Sequence, residues 1–251
     1  MPIPPELPDA AGQIIEAAAQ RGCTLRLLGG LAVRLHSPSA THRLLARSYP
    51  DLDFALAEKR ADQAEAILAD LGYTPNKGFN LLNGDRRLLF FDEGNGRQVD
   101  VFVGGFQMCH RIPITLERIQ LEPVTLPLAE LLLTKMQIIQ LNEKDVRDLC
   151  ALLLDHPFGE GDTETINLPY LARLCAQDWG LWKTVNVTTR KVHSFCDAYE
   201  LEAGQKLTIT GRLAVLARGL DAAPKSLKWK ARDKIGERLQ WYELPEEVQR
   251  G

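Results

Sequence analysis

The sequence predicts an α+β protein in which strands and helices mix over residues 1–157 and helices fill residues 158–251. Three observations predict it. Leu52, Phe54 and Leu56 alternate with Asp51, Asp53 and Ala55, which is the period of a half-buried strand. Arg87–Phe91 and Arg97–Val103 are apolar runs joined across Asn95-Gly96, a hairpin turn sequence. From residue 166 to residue 240 the chain reads as helix almost throughout, broken at Gly180, Gly204 and Pro224.

The elements follow in order. After a proline-rich start, Asp9 is placed to cap a first helix that ends near Gly22. A short strand, Thr24 to Leu28, runs into Gly29-Gly30, and Leu31 to His36 reads as a turn or two of helix. Residues 37–50 are a polar, basic connection. The Asp51–Leu56 strand follows, then a helix from Lys59 to Leu71 with Ala61, Ala64, Ile67, Leu68 and Leu71 on one face and Gly72 as its stop. Beyond the hairpin, Glu117 to Leu126 reads as two short strands. Pro127 suits the first position of a helix reaching Ile139, and a second helix spans Glu143 to Leu154. His156-Pro157 with Gly159 and Gly161 reads as a linker between domains, after which helices are expected over 168–178, 181–202, 206–221 and 225–240.

Composition narrows the function classes. The 251 residues carry a net charge of −3, which argues against a surface built throughout for nucleic acid but leaves room for a local basic groove. The five cysteines are scattered without a CxxC pair and read as buried free thiols. The opening MPIPPELPDA has neither a basic n-region nor an apolar h-region, so a reducing cytoplasm is expected. No apolar run approaches the roughly 20 residues of a membrane helix, and no membrane partner is expected.

The carboxylates carry the chemistry. Asp51 and Asp53 lie two positions apart in a strand, so both side chains leave one face, about 6.6 Å apart at Cα. Such a pair repels unless a cation lies between, and Mg²⁺ takes hard oxygen ligands, commonly one or two carboxylates plus substrate phosphates. Asp100 adds a third acid inside the apolar run Val99–Val103, where a charge needs a metal or an open cleft. A solvated strand end is the plainer reading of Asp51 and Asp53 by themselves. Gly29-Gly30, at a strand-to-helix junction, allows a phosphate to approach the backbone, although tight turns are the commoner use of such a pair.

The order of LLGGLAVRLHS, RSYPDLDF, QVDVF and KDVRDL resembles the nucleotidyltransferase superfamily of the minimal, polymerase-β-like kind. It is similar to the branch holding antibiotic-modifying nucleotidyltransferases and the toxins of type IV toxin–antitoxin pairs. The resemblance covers residues 24–155 and implies a small mixed sheet flanked by helices. It also implies magnesium (or manganese) held by Asp51, Asp53 and Asp100, with Asp100 as ligand or base to the attacking hydroxyl. The implied reaction is in-line transfer of a nucleoside monophosphate from an NTP, releasing pyrophosphate.

Gly29, Gly30, Arg47 and Lys135 would bind the nucleotide, with Lys144, Asp145 and Asp148 supporting Lys135 or an arginine. Two positions depart from the family pattern. Gly30 stands where many members have serine, and Tyr49 stands where toxin-like relatives have threonine. The rival reading is a catalytically silent nucleotide-binding or interaction module of the same fold.

For the acceptor, the acidic balance favours a small molecule, while the basic stretch Lys225–Arg238 favours tRNA. A toxin reading would add a cognate antitoxin protein. In that stretch Leu227, Ala231, Ile235, Leu239 and Tyr242 recur at helical spacing, which predicts one packed face and one basic face.

Overall fold

The computed structural model describes residues 6–57 and 60–244. Strand β1 (Leu25–Leu28), β2 (Leu52–Leu56), β3 (Thr74–Pro75), β4 (Arg87–Asp92) and β5 (Arg97–Val103) form one sheet in the order β1-β2-β5-β4-β3. Only β2 and β5 run parallel; the other pairs are antiparallel, so the sheet is small and mixed. Helices flank it.

The alternation in β2 and β5 sets the two faces. Leu52, Phe54 and Leu56, with Val99, Val101 and Val103, lie buried on one side. Asp53 and Asp100 fall on the other and are direct register partners. Helix α1 (Glu6–Gln20) packs on β1 and on α3 (Ala61–Asp70). Helix α2 (Gly29–His36) leaves β1 without an intervening loop and packs on β1 and β2. Gly96 at φ +63° makes the β4–β5 turn that Asn95-Gly96 predicts.

Helix α4 (Lys77–Asn83) and the hairpin β6 (Gly105–Gln107) with β7 (Arg111–Pro113) extend this unit. Helix α5 (Leu116–Ile119) comes next, then α6 (Leu128–Met136) and α7 (Glu143–Asp155), which pack together against α2. Strands β8 (Phe158–Gly159) and β9 (Ile166–Asn167) pair in parallel where a linker was expected. The remaining helices are α8 (Leu168–Gln177), α9 (Trp179–Ala198), α10 (Ala203–Ala222) and α11 (Leu227–Ile235). Helices α8 and α9 pack on α6, and α10 packs on α7 and α9, so one apolar core runs on from the sheet.

Several local expectations are corrected. Helix α1 already runs at Glu6, so Asp9 lies inside it and does not cap it. Residues 117–126 form no strand pair. Thr115 instead caps α5 by accepting from the Arg118 N–H at 3.3 Å, and Thr125 makes only an isolated bridge to Leu27. Gly180 sits in the first turn of α9, capped by Asp178. The expected start of α3 at Lys59 lies outside the described residues; its described part begins at Ala61.

The packed face expected of the basic stretch is absent. Leu227 and Leu239 are 85% and 59% exposed, and Trp229 is the buried residue of α11. All five cysteines are buried and none is in a disulfide. Among the described residues no helix is long and apolar enough to cross a membrane.

Candidate active site

The sheet brings two carboxylates to one place. Parallel pairing sets Asp53 opposite Asp100, and neighbouring strands are about 4.8 Å apart. Asp53 keeps part of its surface open, while Asp100 is buried. Burial pushes the Asp53 carboxyl up to about 7, with the charge of Asp100 adding to the rise and Asp51 contributing less; Lys135 acts in the opposite sense.

Asp100 has both oxygens engaged. Arg87 Nε donates to Oδ1 at 2.8 Å and Gln98 Nε2 donates to Oδ2 at 2.7 Å. The Arg87 guanidinium also lies over the rings of Phe79 and Phe102. Among the described residues, no three His, Cys, Asp or Glu side chains gather closely enough to hold a metal by themselves. The oxygen-only donor set does fit a magnesium ion that takes its remaining ligands from phosphate and water.

The two glycines are required by what faces them. Gly29 has φ +71°, and a Cβ there would overlap the Asp53 carboxylate. A Cβ on Gly30 would overlap the Arg47 guanidinium. Arg47 therefore fills the space that a side chain at position 30 would take, so a serine there would require the guanidinium to move.

Arg47 is clamped. Its Nε and Nη2 donate to Oδ1 and Oδ2 of Asp148, each at 2.7 Å, in a two-pronged pair that fixes the guanidinium plane. Lys135, on α6, donates to Asp145 at 2.7 Å and lies 3.0 Å from Asp148. Its ammonium has three N–H donors, so two carboxylate contacts leave one for another acceptor. The acids hold the Lys135 pKa above its usual value despite burial. Asn142 caps α7 by accepting from the Asp145 N–H at 3.0 Å, which fixes the start of the helix that carries both acids.

These groups surround a cavity of about 150 Å³ lined in part by Gly30, Arg47, Asp51, Asp53, Lys135 and the exposed Lys144. Of the residues singled out in the sequence, Asp100 lies on the far side of Asp53, and Asp148 acts through Arg47 and Lys135. Both stand behind the cavity lining.

No protein-family model matches the chain, and no curated protein matches it. Solved structures similar to it are nucleotidyltransferases. They include the solution structure of the antibiotic-resistance factor ANT(2'')-Ia, at 17% identity over 67% of this chain and 93% of that one, with a TM-score of 0.42. A nucleotidyltransferase-like antigen from Paracoccidioides brasiliensis shares 13% identity over 90% of this chain and 97% of its own, at 0.41. A tRNA nucleotidyltransferase complexed with primer tRNA and an ATP analogue shares 13% over 91% and 64%, at 0.30. Likenesses this distant leave the function to the side chains of this protein.

Arg87 and Gln98 were not singled out from sequence, and Tyr49 was noted there only as a departure from the family pattern. For Arg87 and Gln98 a signal existed. The hairpin register places Arg87 opposite Phe102, two residues from Asp100 and on its face, and Gln98 is two residues from Asp100 on the same strand. Tyr49 stacks its ring under Arg47, 4.5 Å from the guanidinium carbon. Burial raises its pKa above the usual phenol value and outweighs the opposing charge of Arg47, so its hydroxyl keeps its proton at neutral pH.

Proposed function

We propose that this protein is a magnesium-dependent nucleotidyltransferase that transfers a nucleoside monophosphate from an NTP to an acceptor hydroxyl or amine. One observation carries the reading. Asp53 and Asp100 are held side by side on parallel strands, next to a cavity whose lining includes the cations Arg47, Lys135 and Lys144. A magnesium ion bound by Asp51 and Asp53 would offset phosphate charge and orient the triphosphate. Arg47 and the remaining donor of Lys135 bind phosphate oxygens, and Gly29-Gly30 let the nucleotide approach the backbone. A carboxylate has about four lone-pair sites, so Asp100 retains about two after Arg87 and Gln98 are bonded. With one of these it takes the acceptor's proton. The acceptor atom bonds to the α-phosphorus, the α–β anhydride bond breaks, and pyrophosphate leaves with the bonding pair.

The acceptor we propose is a small molecule. Arg87 borders a recess of about 110 Å³ whose wall includes Gln107 and Glu243. The same two residues, bonded at 2.7 Å, border a cavity of about 620 Å³ lined by His110, Trp179, Trp229 and Trp241. Aromatic walls and this size suit a drug-sized ligand. In this reading residues 158–251 shape the acceptor cleft. The exposed Lys228, Lys230 and Lys234 of α11 support tRNA as the competing acceptor.

The engagement of both Asp100 oxygens favours a second reading, a nucleotide-binding module without transfer. Incubation with NTPs labelled on the α-phosphate, Mg²⁺ and a fractionated cell extract separates the two. The transferase reading expects label in one acceptor fraction and a loss of at least about a hundredfold in rate for Asp100→Asn, the scale of general base catalysis. Tight NTP binding with no label in any fraction would leave the silent module.

A further inference from the structure

We propose that Tyr49 is a substrate-contacting residue of the nucleotide cavity, its hydroxyl donating a hydrogen bond to a phosphate oxygen of the bound triphosphate. This rests on the nucleotide reading above and adds to it a contact made by a residue to which the sequence analysis gave no binding role. Tyr49 lines the cavity with Arg47, Asp51, Asp53 and Lys135, and only 8% of its surface is exposed. Its hydroxyl oxygen is enclosed and has no hydrogen-bond partner. Buried polar groups are almost always paired, because an unpaired one forfeits its hydration without compensation.

The surroundings identify the missing partner. The ring is fixed beneath Arg47, and the positive charges of Arg47, Arg34 and Lys135 bear on the hydroxyl, with Asp148 as the opposing acid. A protonated hydroxyl among cations calls for an acceptor of negative charge, and a phosphate oxygen is one. Arg34 Nε, on α2 one helical turn after Gly30, is also enclosed without a partner.

Tyr49→Phe removes one oxygen and keeps the ring under Arg47. The full-length protein and this variant are compared by calorimetric titration with inorganic tripolyphosphate and Mg²⁺, and by ligand-free thermal melting. The expected result is tripolyphosphate affinity weakened roughly tenfold or more, the scale of one hydrogen bond to a charged group. The ligand-free melting temperature should be unchanged or higher, since the variant no longer buries an unpaired hydroxyl. Equal affinity in the two proteins would overturn the assignment. So would weaker affinity accompanied by a lower ligand-free melting temperature, which marks a structural role. If the wild-type protein binds no tripolyphosphate, the nucleotide reading itself fails and this assignment falls with it.

Discussion

Replacing Asp148 by alanine is expected to destabilise the fold by about 3–5 kcal/mol, the scale of stripping one partner from a buried ion pair. Asp148 is 2% exposed and takes two hydrogen bonds from Arg47 while lying 3.0 Å from Lys135. The side chains of Arg47 and Lys135 are themselves only 9% and 13% exposed. Alanine leaves the guanidinium buried beside Gly30 without a counter-charge; Asp145 still holds the lysine. Removing the orphaned cation as well, in Asp148→Ala with Arg47→Met, should recover part of the loss, because the cost lies in the unpaired charge more than in the missing attraction. Urea unfolding of the three proteins checks this. An Asp148→Ala variant within about 0.5 kcal/mol of wild type, the range of ordinary surface substitutions, would contradict it.

The second large effect is a pH dependence set by Asp53. Its folded pKa is raised from 3.8 to about 7, so between these values the folded protein holds a proton that the unfolded chain has released. Stability from this group is therefore fully present below about pH 4 and falls as pH rises to about 7, at up to about 1.4 kcal/mol per pH unit. Asp53→Asn should flatten that slope in metal-free buffer and be the more stable protein at pH 8. Saturating Mg²⁺ with an NTP should restore the wild type at pH 8 and leave the variant unmoved. Parallel stability–pH curves for the two metal-free proteins would contradict this.

Much of this site was legible because it sits on strands. Period-2 alternation fixes which side chains share a face, and the Asn95-Gly96 turn fixes the register that brings Asp100 onto the sheet. The same register carried Arg87 to Asp100, but a charge on an edge of a hairpin ordinarily reads as solvated. Tyr49 lies in a connection without periodicity, where no spacing says what a ring will cover.

The helices from residue 168 onward were legible as helices, with ends that differ from expectation by up to five residues; of the expected breakers only Pro224 separates two helices, while Gly180 and Gly204 lie in first turns. Residues 117–126 were misread as strands because the run is short and ambiguous in period. A hydroxyl cap at Thr115 and the pairing of Arg118 with Glu130 and Asp162 make it a helical turn instead. In α11 the aliphatic spacing lost to aromatic packing. Trp229 turns inward against Trp182, with ring centres 5.1 Å apart, and this leaves Leu227 in solvent.

The central claim is that Asp53 belongs to a magnesium-dependent nucleotide site. Calorimetric titration of a non-hydrolysable NTP into wild type and Asp53→Asn, with Mg²⁺ and with chelator, tests it most directly. The account predicts binding to the wild type that requires Mg²⁺, and binding to Asp53→Asn that is weak and indifferent to it. Nucleotide affinity equal in the two proteins, with the same response to Mg²⁺, would contradict it.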